Sequence, residues 1–244
     1  MRKTIFFDLD NTLYSFDHTS ALADQAVGLY CERQFGIDRE QAIRETYESM
    51  NEITARMGER NSAVHDRLIR FKNVLLKHGW PVFPHAGEMY ELYWGTLTDA
   101  MVPEPGVYAF LHELKKEGFR LFCATNMTSR IQYRKIRKLG MGSLFTDLIT
   151  SEEACAEKPQ KEFFEYCADA ALEKPEACIY VGDNYRLDVL GSRQAGMKSI
   201  HYQTPDLALR HRKAEPGTPV ITDYRDLDTC MKIVRAVACD GLIS

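Results

Sequence analysis

Hydrophobic residues occur in two regimes along this chain. Six short runs are apolar at consecutive rather than alternate positions: "TIFFDLD" (4–10), "RLFCAT" (120–125), "DLIT" (147–150), "CIYVGD" (178–183), "SIHY" (199–202) and "VIT" (220–222). Runs of this length and pattern predict strands buried on both faces. Between them, apolar residues recur at helical spacing in segments mostly closed by glycine, at 106–118, 128–140, 161–173 and 185–196. Strands alternating with helices predict a parallel sheet covered on both sides, a doubly wound, Rossmann-like α/β core.

The stretch 14–100 departs from this alternation and carries only the helical period. Within 39–57 the apolar positions are Ile43, Tyr47, Met50, Ile53 and Met57, and Val64, Leu68, Phe71 and Leu75 continue the pattern in the next segment. Helices also fit 18–35 and 86–98. The stretch "VPEPG" (102–106) then leads back toward the sheet. The pattern therefore predicts an α/β core of residues 1–13 and 101–244, with an all-helical cap, 14–100, inserted after the first strand. Residues 203–219, punctuated by proline and glycine, are expected to form a surface loop.

Composition narrows the classes of function. A chain of 244 residues has room for a sizeable core plus an insertion. A net charge of -4 leaves no electrostatic footprint for a nucleic acid polymer or an anionic membrane. No apolar run is long enough to span a bilayer, and the N-terminal one is broken by Asp8, so a cytoplasmic protein is expected. Seven dispersed cysteines without a C-x-x-C pair suggest neither a disulfide framework nor a zinc site. Cys123 and Cys178, inside apolar runs, read as small buried hydrophobes.

In a doubly wound sheet, ligands bind where the C-terminal ends of the strands open at a switch point. The polar residues at those ends are Asp8 and Asp10, Thr125 and Asn126, and Asp183 with Asp188 after it; Lys158 stands before a further helix. Two close carboxylates repel each other and call for a cation. A hard divalent ion such as Mg2+, held by Asp8, the Asp10 carbonyl and Asp183, would supply it. With a phosphate monoester, the metal and Lys158 would offset repulsion between two anions while Asp8 attacked phosphorus. Asp10 would protonate the leaving oxygen and later deprotonate water. Thr125 and Asn126 would meet the non-bridging phosphate oxygens, and Asp188 would orient the metal shell or Lys158.

These segments resemble the haloacid dehalogenase-like hydrolase superfamily in its helical-cap subclass. "DLDNTL" is similar to its D-x-D-x-T motif, "ATN" to its second motif, "EKPQKEFF" to its lysine motif and "VGDNYRLDVLGSRQAGM" to its final acidic motif. "DLDNTLY" further resembles the branch containing pyrimidine 5'-nucleotidases. The resemblance implies a nucleophile at Asp8 and a general acid/base at Asp10. It also implies phosphate contacts from Thr125 and Lys158, and metal binding by Asp8, Asp10, Asp183 and Asp188. Asn11 and Glu157 stand where many members carry glycine.

The function expected is Mg2+-dependent hydrolysis of a small phosphorylated metabolite, a nucleoside monophosphate or sugar phosphate, through an aspartyl-phosphate. Alternatives on the same scaffold are a phosphomutase, a haloacid dehalogenase and a phospho-accepting signalling module. A dehalogenase would have no use for Asp10 and Asp183, since halide leaves without a proton. In the cap, His65, Arg67, Arg70, His85 and Tyr93 are the polar residues to inspect, with surface or packing roles the expectation for each.

Overall fold

The computed structural model describes residues 4–58, 61–204 and 214–239. The backbone divides into two compact units: a helical one, Phe16–Met101, and a second formed by the chain up to Ser15 and from Val102 onward.

The helical unit comprises α1 (Phe16–Phe35), α2 (Arg39–Met57), α3 (Arg67–Lys77) and α4 (His85–Ala100). Asp38 and Asp66 cap α2 and α3, accepting from the backbone N–H of Gln41 at 3.0 Å and of Leu68 at 2.8 Å. Each helix packs on the next and α1 returns against α4, around a core that includes Val27, Phe71, Leu75, Met89, Trp94 and Leu97. The buried face of α2 is not the apolar stripe that the pattern predicts. It consists of Ala42, Glu45, Thr46, Ser49 and Ile53, while Tyr47 is exposed and Ile43, Met50 and Met57 are half-buried. Small side chains allow neighbouring helices to come close, and the polar ones are satisfied inside. Glu45 lies 2.6 Å from His78 Nε2, Ser49 Oγ donates to the Arg70 carbonyl, and Thr46 donates to the Ile43 carbonyl. Leu68, expected inside α3, is exposed.

The second unit is built on a six-stranded parallel sheet: β1 (Thr4–Phe7), β2 (Arg120–Thr125), β3 (Asp147–Thr150), β4 (Cys178–Gly182), β5 (Lys198–Tyr202) and β6 (Val220–Ile221). The order β3-β2-β1-β4-β5-β6 places β1 in the centre, with Phe7 in register with Cys123 on one side and Val181 on the other. Consecutive residues of a strand point to opposite faces, and both faces here are apolar. Phe6 packs with Phe122, Phe163, Phe164 and Tyr180, whereas Phe7 meets the ring of Phe110 at 6.2 Å. Cys123 and Cys178 are buried free thiols in these strands.

Among the described residues the remaining α-helices are α5 (Val107–Lys116), α6 (Ser129–Leu139), α7 (Ser151–Ala154), α8 (Lys161–Ala170), α9 (Gly191–Gln194) and α10 (Leu227–Cys239). Three features differ from the sequence expectation. β1 ends at Phe7, so Asp8 and Asp10 lie in the connection beyond it. The segment 185–196 is not one helix but a wide π-type turn, Tyr185–Leu190, followed by α9. Asn184 nucleates that turn by accepting from the N–H groups of Arg186 and Leu187. The last helix, α10, was not anticipated, although Cys230, Met231, Val234 and Val237 recur at helical spacing and are buried. Of the expected loop 203–219, residues 205–213 lie outside those described. Among the described residues no helix is long and apolar enough to cross a membrane.

Candidate active site

Asp8 extends the central ladder by one hydrogen bond, its N–H donating to the Val181 carbonyl at 2.8 Å, and so stands directly past the end of β1. Its carboxylate is buried with those of Asp183, from the end of β4, and Asp188, from the wide turn. One oxygen of each lies within 4.8 Å of the others. Lys158 enters the same space, with Nζ 2.8 Å from Asp8 Oδ1 and 2.7 Å from Asp188 Oδ1. Asp8 and Asp188 thus share one ammonium with the Asp183 carboxylate beside them, an excess of negative charge removed from water.

Burial, opposed by the charge of Lys158 and reinforced by Asp188, pushes the Asp8 carboxyl up to about 6. Burial, with Asp188 and Asp8 adding like charge, pushes Asp183 well above the usual carboxylate range. For Lys158 burial works in the other direction, but Asp188 and Asp8 outweigh it and hold the ammonium well above the ordinary lysine value. The contact from Lys158 to Asp8 Oδ1 is an ion pair that lacks hydrogen-bond alignment, which leaves that buried oxygen without a directed donor. An orphaned carboxylate oxygen inside an all-oxygen, net-negative cluster suits a hard divalent cation.

Backbone design brings these groups together. Gly182 has no side chain, and a Cβ there would lie 2.4 Å from Cγ and Oδ2 of Asp188. Asp188 Oδ2 in turn accepts the Asn184 N–H at 2.8 Å. Thr12 Oγ1 accepts the Asp183 N–H at 3.1 Å, tying the turn after β1 to the end of β4. Directly after Asp10 in that turn, Asn11 has a φ of 59°. Asparagine tolerates this left-handed backbone better than most residues.

The carboxylate of Asp10 does not belong to the acidic cluster. It is held by Lys135 of α6, whose Nζ lies 2.8 Å from Oδ1 and 2.9 Å from Oδ2, and by the Tyr14 hydroxyl, 2.6 Å from Oδ1. Sequence reasoning missed Lys135. The signal was present: Ile131, Lys135 and Leu139 recur every four residues, so this lysine interrupts an apolar helix face that is buried.

Thr125 and Asn126 end β2, next to the end of β1. Thr125 Oγ1 accepts from Gln132 Nε2 at 3.1 Å. Asn126 serves the loop that bears Lys158, its Oδ1 accepting the Lys158 N–H at 2.9 Å and its Nδ2 pointing to Glu157 and the Lys158 carbonyl. Glu157 also accepts from Ser151 and so acts as a local brace. Nearby amides are already engaged: the Met127 N–H meets Ser151 Oγ at 2.9 Å and the Ser129 N–H meets Glu152 at 2.8 Å.

A family model described as haloacid dehalogenase-like hydrolase matches residues 2–196. The chain is 26% identical over 238 residues to the ribulose-1,5-bisphosphate 5-phosphatase of Halopiger xanaduensis, covering 93% of this chain and 99% of that one. It is 26% identical to the pyrimidine 5'-nucleotidase PynA of Streptococcus pneumoniae, with 94% of each chain covered. In fold it is similar to a 2-haloacid dehalogenase from Pseudomonas syringae, at a TM-score of 0.75 and 22% identity, covering 95% of this chain and 99% of that one.

Proposed function

The chain belongs to the haloacid dehalogenase-like hydrolase family, and from that premise we propose that it hydrolyses the phosphate monoester of a small phosphorylated metabolite, a sugar phosphate or nucleoside monophosphate. The observation that carries this reading is the division of labour among four carboxylates. Asp8, Asp183 and Asp188 crowd around Lys158, while Asp10 stands apart with donors of its own.

In the first step an oxygen of Asp8 bonds to phosphorus as the bond from phosphorus to the leaving oxygen breaks. Asp10 gives that oxygen its proton, and the alcohol departs. In the second step water attacks the aspartyl-phosphate and loses a proton to Asp10. The bond from Asp8 to phosphorus breaks, which returns the free carboxylate and releases inorganic phosphate. Lys158, steadied by Asp188, reduces the repulsion between Asp8 and the dianionic ester. The Thr125 hydroxyl and the turn at Asn126 receive the non-bridging oxygens. Asp8, Asp183 and the Asp10 carbonyl, with Asp188 beside them, would hold Mg2+, which when bound supplies the positive charge that the cluster lacks. Halide displacement, which needs neither a proton donor nor a cation, leaves Asp10 and the surplus acids unexplained.

The test is phosphate release from a panel of sugar phosphates and nucleoside monophosphates with Mg2+. Asp8→Asn is expected to lose at least ~10³-fold in kcat, in line with removal of a nucleophile. Wild-type turnover by that variant would sink the mechanism.

A further inference from the structure

We propose that Lys135 and Tyr14 are positioning residues that aim the Asp10 carboxyl, presenting Oδ2 as the oxygen that carries the transferred proton. The inference rests on the reading of Asp10 as the acid/base and adds what directs it.

Lys135 is fully buried, and an ammonium removed from water is tolerated only against good acceptors. Its contacts with Asp10 are two-pronged, and its Nζ also lies 5.7 Å from the centre of the Tyr14 ring. Lysine, aromatic ring and carboxylate therefore form one packed unit. Within it the two oxygens of Asp10 are unequal. Oδ1 takes two donors, the Tyr14 hydroxyl at 2.6 Å and Lys135 at 2.8 Å, whereas among the described residues Oδ2 takes Lys135 alone at 2.9 Å. An oxygen with two strong donors has little capacity left for a proton, so a protonated Asp10 carries it on Oδ2. The proton passes from Oδ2 to the leaving oxygen as the ester bond breaks, and Oδ2 takes one back from water when the aspartyl-phosphate is hydrolysed. Throughout, Lys135 and Tyr14 keep the carboxyl plane fixed, a constraint that an aspartate in the connection beyond β1 would otherwise lack.

General acid help matters most when the leaving group is a poor one. The experiment compares kcat/KM for phenyl phosphate and p-nitrophenyl phosphate, with Mg2+, in the wild type, Lys135→Met, Tyr14→Phe and Asp10→Asn. A merely structural role would reduce both esters by one factor. A positioning role makes Lys135→Met lose ~100-fold on phenyl phosphate and only a few-fold on the p-nitrophenyl ester, the scale on which proton transfer contributes. Tyr14→Phe is expected to change that ratio in the same direction by ~3- to 10-fold, and it decides alone if Lys135→Met fails to fold. Equal losses on the two esters overturn the inference. If Asp10→Asn itself leaves the ratio at the wild-type value, Asp10 is not the acid and the proposed mechanism fails. If Asp10→Asn changes the ratio and the other two variants do not, only the positioning roles fail.

Discussion

The two units bury cations in opposite ways. In the sheet unit Lys158 and Lys135 each lie against carboxylates, at 2.7–2.9 Å. In the helical unit Arg70 is equally buried, yet its hydrogen bond goes to a neutral group, the Val64 carbonyl at 2.8 Å, and among the described residues its Nε has no partner. Beside it Arg67 donates to Tyr93 and the His65 carbonyl and sits over the Tyr93 and Trp94 rings, while the nearby acid, Asp24, is taken up by the Tyr47 hydroxyl. Burial, with Arg67 adding like charge, accordingly pushes Arg70 down to about 9, whereas Lys158 is held up by its acids. A buried charge therefore means different things in the two places. In the first unit it neutralises a cluster that cannot stand without it; in the second it is a burden carried by the packing.

The largest effect should follow from removing the neutraliser. Lys158→Met leaves three buried acids unopposed, and breaking a buried pair in this way costs about 3–5 kcal/mol. Chemical denaturation in the presence of a chelator should show that loss, and phosphate release should fall by ~10³-fold or more. A variant as stable as the wild type would remove the contrast between the units.

Next in size is the response to Mg2+. The folded-state pKa of Asp8, about 6, lies above its ordinary 3.8, so between these values the folded chain binds more protons than the unfolded one. Without metal, stability therefore declines as pH rises through this window, and it stays reduced above it. A cation must displace those protons at pH 5 but not at pH 7.5. Mg2+ should accordingly raise the melting temperature more at pH 7.5 than at pH 5, with about 2–3 kcal/mol of stabilisation at a hundredfold excess over its Kd. Equal shifts at the two pH values would detach the ion from the acidic cluster.

The smallest effect belongs to the helical unit. Arg70→Met should change stability by less than about 1 kcal/mol, or raise it, because an apolar side chain of similar length removes a charge that lacks a paired acid. A loss of several kcal/mol in a melting experiment would show that Arg70 is compensated after all, and the two units would no longer differ.

Legibility in the sequence followed the range of the interactions involved. Asp8, Asp183 and Asp188 could be singled out because a parallel sheet delivers its strand ends to one edge and these acids follow apolar runs, and Lys158 because it stands before a further helix. The sheet itself was legible for the same reason, in that both faces of each strand are apolar. Lys135 was not, since a lysine in a helix reads as solvated unless its partner is known, and Asp10 lies 125 positions away. The buried face of α2 was also hidden. Ser49 and Glu45 are acceptable inside only because Arg70 and His78, on and just after another helix, meet them. The wide turn at Tyr185–Leu190 mimics a helical pattern, and what distinguishes it is where the Asn184 side chain bonds.

The bare strand end at Gly182 governs more than fit. By leaving a slot for Asp188, it lets one ammonium be shared between Asp8, the proposed nucleophile, and Asp188. A single methyl group at that position would evict Asp188, and Lys158 would settle wholly on Asp8, muting the oxygen that attacks in the proposed mechanism. Such a chain could keep its architecture and lose its turnover, so reactivity here hangs on an atom that is missing.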